Sequence, residues 1–365
     1  MTSPVPFTPG DTSKIVVALV DLYRQAEADL IALMAEHLAT GIDAPDWVTR
    51  QLMEVQRYRR AAQQVVASLG GGAVTAGAAA VDLAAGQAAA TGLADIIRRA
   101  TPDPAGLVGT PLNVDRLSTI AADLARVTST TNATVLRQTD DIYRRVIADV
   151  VRAEATGVMS RRQAAEKALQ HLTRAGVTGF VDKAGRRWEL ASYVEAASRA
   201  ATMNSAIEGY AQQMQAQGHD LVIVSDVPQE CAKCRPFEGR VLSLSGQVAG
   251  SITEDGKTVA GTLDSARAEG LFHPGCRHSI AMYIPGVTRS FGETADPQGD
   301  RDRQRLRALE RRVRAAKREE LAALTPEGKK AAAAKVRAGQ AAIREHVANS
   351  TAKRQRHREQ VNTAR

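Results

Sequence analysis

Apolar residues recur at helical spacing through most of the first half of the chain. Ile15, Leu19, Leu22, Leu30, Leu33 and Leu38 predict an amphipathic helix over 11–40, which Gly41 ends. Residues 1–10, with three prolines, read as a flexible arm. Pro45 sits where a missing N–H costs nothing and opens a second helix. That helix is expected to run to Leu69 and stop at Gly70, Gly71 and Gly72, with an Ala-rich third helix following to Arg99. Thr101 to Pro111, holding Pro102, Pro104 and Gly109, reads as a linker. Leu117, Ile120, Leu124, Val127, Ile142, Val146 and Val150 then predict a long helix over 113–155, with the Thr-rich stretch 128–134 as the place for a bend or break. Ser160 and Gln163 form a capping-box pattern for a further helix that ends by Ala175 or Gly176. Lengths and connections of this kind belong to a helical bundle or an elongated stalk.

The pattern changes after Gly179. Phe180 to Leu190 has two short apolar edges around Lys183, Ala184 and Gly185, which predicts a hairpin. A helix over 191–217 carries Arg199, Asn204 and Glu208, read as a solvated face rather than a catalytic cleft. Three β-branched segments, 220–225, 240–244 and 279–284, read as strands. Gln247 to Gly261 is a Gly/Thr/Ser loop or surface hairpin, and 262–269 is a short helix. A Pro/Gly linker (285–299) leads to charged helices over 300–324 and 327–347. Leu306, Leu309, Val313 and Ala316 give the first of these a narrow apolar seam, suited to docking along a partner or to a coiled coil. The expected fold is therefore mainly α with a small α+β module. Its parts are an arm (1–10), a helical N-terminal domain (11–176), the α+β module (177–290) and a basic helical tail (291–365).

Composition sharpens the picture in one place. The 365 residues carry a net charge of +8, but Arg301 to Arg365 holds 19 Lys and Arg against 7 Asp and Glu. The remaining 300 residues hold 29 against 33, so the basic character belongs to the tail. Met1 to Asp11 has the features of no signal peptide. The nearest approach to a membrane span is Ala73 to Leu93, interrupted by Asp82 and Gln87, and it reads as a close-packed helix. No membrane partner is expected. Nor is a phosphate loop at Gly70–Gly72, since no strand precedes the glycines and no G-K-[ST] follows.

All three cysteines lie in the α+β module. Cys231 and Cys234 form a C-x-x-C turn, and His273 and Cys276 an H-x-x-C turn, with His278 two residues further on. Two such turns brought together supply the four soft or borderline donors of a tetrahedral structural zinc site. Lys233 and Arg235 are placed to favour the thiolate form. His273 has the ligand spacing; the alternative fourth ligand is His278, and the histidine left over would hydrogen-bond behind the site. An odd cysteine count argues against a disulfide scaffold. Pro236 and Gly239 after the C-x-x-C argue against a thioredoxin-like helix. Outside the cluster no compact Asp/Glu/His constellation is evident, and a closed four-donor site leaves no position for water, so no enzyme and no small-molecule substrate are expected.

In the tail, Arg301, Arg303, Arg305, Arg307, Arg311, Arg312, Arg314, Lys317 and Arg318 on one helix can meet phosphates from several sides, with Lys353, Arg354, Arg356 and Arg358 in a basic run beyond it, unstructured by itself. Such binding is electrostatic and without sequence preference. Arg301 to Arg365 has no Phe, Tyr or Trp to stack on bases, which argues against single-strand readout. The alternatives are an acidic protein surface or a solvated helix braced by pairs such as Glu310 and Arg314.

The stretch CAKCRPFEGRVLSLSG, followed by GLFHPGCRH and IPGVTR, resembles the phage minor capsid protein 2 family, related to MuF-type head-morphogenesis proteins with a C-x-x-C then H-P-x-C-R signature. The likeness is strongest over 179–289 and continues through DRDRQRLRALERRVRAAKREE and REHVANSTAKRQRHREQ. Many MuF-type sequences end the motif Cys-Arg-Cys, whereas this chain has Cys276, Arg277 and His278. The resemblance implies a minor structural protein of a tailed-phage head, at or inside the portal vertex, acting in head morphogenesis and genome packaging or ejection. It implies the portal or major capsid protein and packaged double-stranded DNA as partners. The implied location is the virion, with the host cytoplasm during assembly. The rival function is a zinc-stapled, non-specific nucleic-acid-binding protein or nuclease.

Overall fold

In the computed structural model the described residues are 9–99, 107, 109–157, 159–174, 180–181, 187–273, 275–288 and 295–361. The arm up to residue 8, most of the 101–111 linker, the hairpin turn at 183–185 and part of the 285–299 linker lie outside them. Helices dominate: α1 (Pro9–Ile15), α2 (Val17–Ala39), α3 (Trp47–Arg99), α4 (Val114–Thr156), α5 (Arg161–Arg174), α6 (Leu190–Ala216), α7 (Leu263–Ala268), α8 (Pro297–Leu321) and α9 (Pro326–Ala348). The strands are β1 (Phe180–Val181), β2 (Arg187–Trp188), β3 (Leu221–Val224), β4 (Val241–Ser243), β5 (Val259–Thr262) and β6 (Ile280–Met282). β1 and β2 pair antiparallel, as the hairpin pattern requires. The chain forms two compact units, each assembled from three separate segments. One comprises Met1–Ala18, Thr75–Ala125 and Glu195–Arg301; the other comprises Leu19–Val74, Arg126–Val194 and Asp302–Arg365.

Three departures from the sequence reading have physical causes. The glycine triplet does not stop a helix; α3 runs straight through it. Three helical glycines cost roughly 1 kcal/mol each relative to alanine. Here they let neighbours come close: a Cβ on Gly72 would lie 3.3 Å from Leu22 Cδ1, and one on Gly70 would lie 3.6 Å from Asn132 Nδ2. The Thr-rich stretch does not break α4 either. Thr130, Thr131 and Thr134 turn their hydroxyls onto the carbonyls of Arg126, Val127 and Thr130, four residues back, so they compete with no other backbone partner. The third departure is a strand inside the Gly/Thr/Ser loop. Ile252 and Thr258 bridge a small hairpin, and β5 then pairs in parallel with β4.

The first unit is built on a four-stranded sheet of order β5-β4-β3-β6, with β3 antiparallel to both its neighbours. Alternation explains the apolar run of β3. Val222 and Val224 face a core shared with Ile207, Tyr210 and Met214 of α6, while Ile223 faces Val241, Val259 and Tyr283 on the other side. Tyr210 ties the layers together: its hydroxyl accepts from the Met282 N–H (2.8 Å) and donates to Asp95 (2.9 Å). Within the same unit Ala84, Ala85 and Ala88 of α3 are fully buried. By length and composition α3 is apolar enough to cross a membrane, with a mean hydropathy of 1.4 over its best window, 33% of which is buried; a core helix of a folded protein passes the same test.

Contact between α3 and α6 is close enough to exclude a methyl group. A Cβ on Gly209 would lie 2.4 Å from the Ala85 carbonyl oxygen, whereas one on Gly71 would meet nothing within 4 Å. Gly209→Ala is therefore expected to destabilise the fold by roughly 1–3 kcal/mol through overpacking. Gly71→Ala is expected to stabilise it by about 0.5–1 kcal/mol. Paired thermal melts read the opposite signs.

The second unit stacks Tyr58 on Tyr143 (4.4 Å between ring centroids), and Tyr143 donates to Gln51 (2.6 Å). Ser160 and Gln163 close the expected capping box at the start of α5. The seam of α8 has its partner within the chain: Leu306, Leu309 and Val313 pack with Ile343 of α9 and Ala352. Beyond α9 the basic run is structured. Residues 356–359 form a 3-10 turn, Ala352 and Val361 are buried, and the Arg358 carbonyl accepts from Arg314.

Candidate metal centre

Sheet topology brings the two ligand turns to one place. The C-x-x-C turn is the loop between β3 and β4; the H-x-x-C turn leads into β6, which pairs on the other side of β3. Cys234 and Arg235 both donate their N–H to the Cys231 carbonyl at 3.1 Å, and Pro236 sits in the short 3-10 turn that follows. Gly239, at φ +69°, returns the chain to β4 and donates to the Val224 carbonyl. The second turn closes with Cys276 N–H on the His273 carbonyl (2.8 Å). Phe272, before it, takes φ +61°, which is costly for a residue with a side chain.

All five sequence-assigned donors converge. Cys231 Sγ lies 3.0 Å from His273 Nε2, Cys234 Sγ lies 3.5 Å from Cys276 Sγ, and Cys276 Sγ lies 3.4 Å from His278 Nδ1. They form two overlapping triads, Cys231–Cys234–His273 and Cys234–Cys276–His278, with the donor atoms of each within 4.8 Å of one another. Thiolate and imidazole donors around one tetrahedral ion lie about 3.5–3.8 Å apart; the contacts of Cys276 are near that range and the Cys231–His273 contact is shorter, so the donor types fit a metal such as zinc with a small adjustment of the two turns. The three cysteines are free thiols, and Cys234 is fully buried beside Phe237, Leu271 and Phe272.

The two histidines differ in their surroundings. His278 is buried, and its Nε2 is held by Glu238 at 2.7 Å, which aims Nδ1 at Cys276. Glu238 is itself positioned by the Val227 N–H. This carboxylate–histidine pairing is the kind that orients a metal's surroundings. Burial pulls the His278 pKa down, but the contacts with Cys276 and Glu238 outweigh it and the net shift is upward. The contact with Cys234, helped by His278, lowers the Cys276 pKa against burial. The same contact, together with burial, pushes the Cys234 thiol up. Arg235 does not serve the sulfurs: its guanidinium is spent on buried Glu230 at 2.6 Å, and Lys233 is exposed.

The tail cations divide by environment. Arg301, Arg305, Arg311, Arg312, Lys353 and Arg356 are exposed; Arg303, Arg307, Lys317, Arg354 and Arg358 are half-buried. Arg314 and Arg318 are buried in ion pairs with Glu189, which corrects their assignment to a solvent-facing phosphate surface. Arg307 and Arg358 both pair with buried Glu310, and Arg354 pairs with Glu359. Lys329, Lys330, Arg337 and Arg344 on α9 are exposed cations that the sequence reading did not single out. The solvated face expected for Asn204 and Glu208 is also corrected, since Glu208 is buried and Asn204 half-buried.

A family model described as phage minor capsid protein 2 matches residues 7–348. The chain belongs to the phage minor capsid protein 2 family. Membership makes it a virion-associated phage structural protein, and the match spans both compact units rather than the cysteine module alone. No curated protein and no solved structure matches the chain.

Proposed function

We propose that this minor capsid protein sits at or inside the portal vertex of a tailed-phage head and acts in head morphogenesis and in genome packaging or ejection. It works by binding rather than catalysis, through the portal or the major capsid protein and through packaged double-stranded DNA. What carries the reading is the family match over nearly the whole chain, joined to a C-x-x-C and H-P-x-C-R pair like that of MuF-type proteins. In this reading zinc is held by Cys231, Cys234, Cys276 and His273, with His278 orienting Cys276 from behind. A bound ion supplies a folding staple: it ties together turns that lie 42 residues apart, on a small sheet of short strands. DNA contact falls to the exposed cations of α8, α9 and the segment after them, which offer phosphate neutralisation without base readout.

Gradient-purified, DNA-filled heads are expected to contain the protein at a fixed copy number. Formaldehyde cross-linking of those heads is expected to join DNA to peptides from 301–361. Quantitative mass spectrometry reads both. If every copy stays in the soluble lysate, the head assignment fails, and a free, zinc-stapled nucleic-acid-binding protein or nuclease becomes the better reading.

A further inference from the structure

Beside the cysteine cluster, and within the same compact unit, lies an open cleft of about 430 Å³. That volume is within the usual range for small-ligand sites. One wall is α4, with Arg116, Thr119 and Ile120; another is α6, with Asn204 and Glu208; the third is the segment from Arg267 to His273. We infer that this cleft is a binding site for a small organic oxyanion, a carboxylate or a phosphate, held by Arg116 and Arg267 over the buried carboxylate of Glu208.

Charge is the first support. Glu208 Oε1 lies 3.2 Å from Arg116 and also accepts from Gln212, while Oε2 lies 3.8 Å from Arg267. Both guanidiniums also approach Asp264, but that side chain is 72% exposed and does not line the cleft. Its effect is screened by solvent. The cleft lining itself holds two guanidiniums and one carboxylate, with the exposed Asp264 as the outer counter-charge. Glu208 fixes the two forks near each other without consuming their ten N–H donors.

Two further features go beyond what packing needs. Arg267 Nε is enclosed and makes no hydrogen bond, an unmet donor of the kind that costs about 1–3 kcal/mol. Phe272, with its positive φ, lies in the cleft wall, and strain of this type gathers at functional sites. The apolar remainder (Ile120, Leu271 and Phe272) suits a short carbon skeleton beyond the charged group. The wall ends at His273, so an occupant would abut the back of the cysteine cluster. The inference does not depend on the head assignment or on the metal.

Calorimetric titration of the full-length protein at low salt with inorganic phosphate and, separately, with succinate tests it. At least one probe is expected to bind saturably in the millimolar range. Arg116→Gln and Arg267→Gln are each expected to weaken that binding at least tenfold, with Arg240→Gln, exposed and outside the cleft, as the unchanged control. The probe that binds more tightly distinguishes a phosphate from a carboxylate. Failure of both probes to saturate, or equal binding by both cleft variants, overturns the inference. Thermal melts of the variants separate lost binding from lost fold, and the largely exposed Arg116 keeps at least one variant interpretable.

Discussion

Glu189→Ala is expected to destabilise the second unit by roughly 3–5 kcal/mol, the cost of leaving buried charge unpaired. Glu189 follows β2 and opens α6; it accepts from Arg314 at 2.5 Å and from Arg318, both of them buried. Arg318 also lies 3.5 Å from Glu27, and Arg314 donates to Ser192. Removing the carboxylate leaves Arg314 with the neutral Ser192 hydroxyl and Arg358 carbonyl, and Arg318 with Glu27 at 3.5 Å, both in the protein interior. Burial alone would raise the Glu189 pKa, but the two arginines overcompensate and hold it well below the usual carboxylate range. The sign with pH follows: this stabilisation is complete above the unfolded value near 4.5 and is lost as pH falls below it. Urea denaturation at pH 7 and pH 2 is expected to show a larger acid loss for the natural chain than for Glu189→Ala, since most of the loss falls well below the unfolded value. Equal acid dependence in the two would mean that Glu189 is not the titrating partner.

Cys234→Ser is the second large effect. The natural chain is expected to purify with one zinc per chain, and the variant with little or none. Removing the ion is expected to cost several kcal/mol, below the roughly 10–16 kcal/mol of small zinc peptides, because this sheet has a core of its own. EDTA treatment of the natural chain should reproduce the melting-point loss, and metal affinity should fall in acid as the donors take up protons. Metal analysis and melts with and without EDTA check this. A natural chain without metal whose melt ignores EDTA would leave the cluster as three reduced thiols.

Local chemistry made much of this legible from sequence. The capping box at Ser160, the end of α2 near Gly41 and the two ligand turns depend on residues a few positions apart, and spacing alone reveals them. What stayed hidden depends on distant partners. Gly70–Gly72 carry a stop signal locally, yet the helix continues, with Leu22 packed closely over Gly72. Glu189 and Arg314 are 125 residues apart, so Arg314 read as one more exposed cation of a basic helix. Val259–Thr262 is half glycine and threonine, and becomes a strand because β4 offers it an edge. Glu208 had the helical spacing of a surface residue; only the arrival of Arg116 and Arg267 shows what it faces.

The threading of both units through the whole chain governs the timing of their synthesis. The second unit cannot close until Asp302–Arg365 has been made, and the first needs everything up to Arg301. A ribosome adding about 5–20 residues per second adds Arg314 some 6–25 seconds after it adds Glu189. During that interval the carboxylate has water, not arginine, as its partner. Until the segment holding Arg314 and Arg318 has been made, the second unit lacks the counter-charges of Glu189.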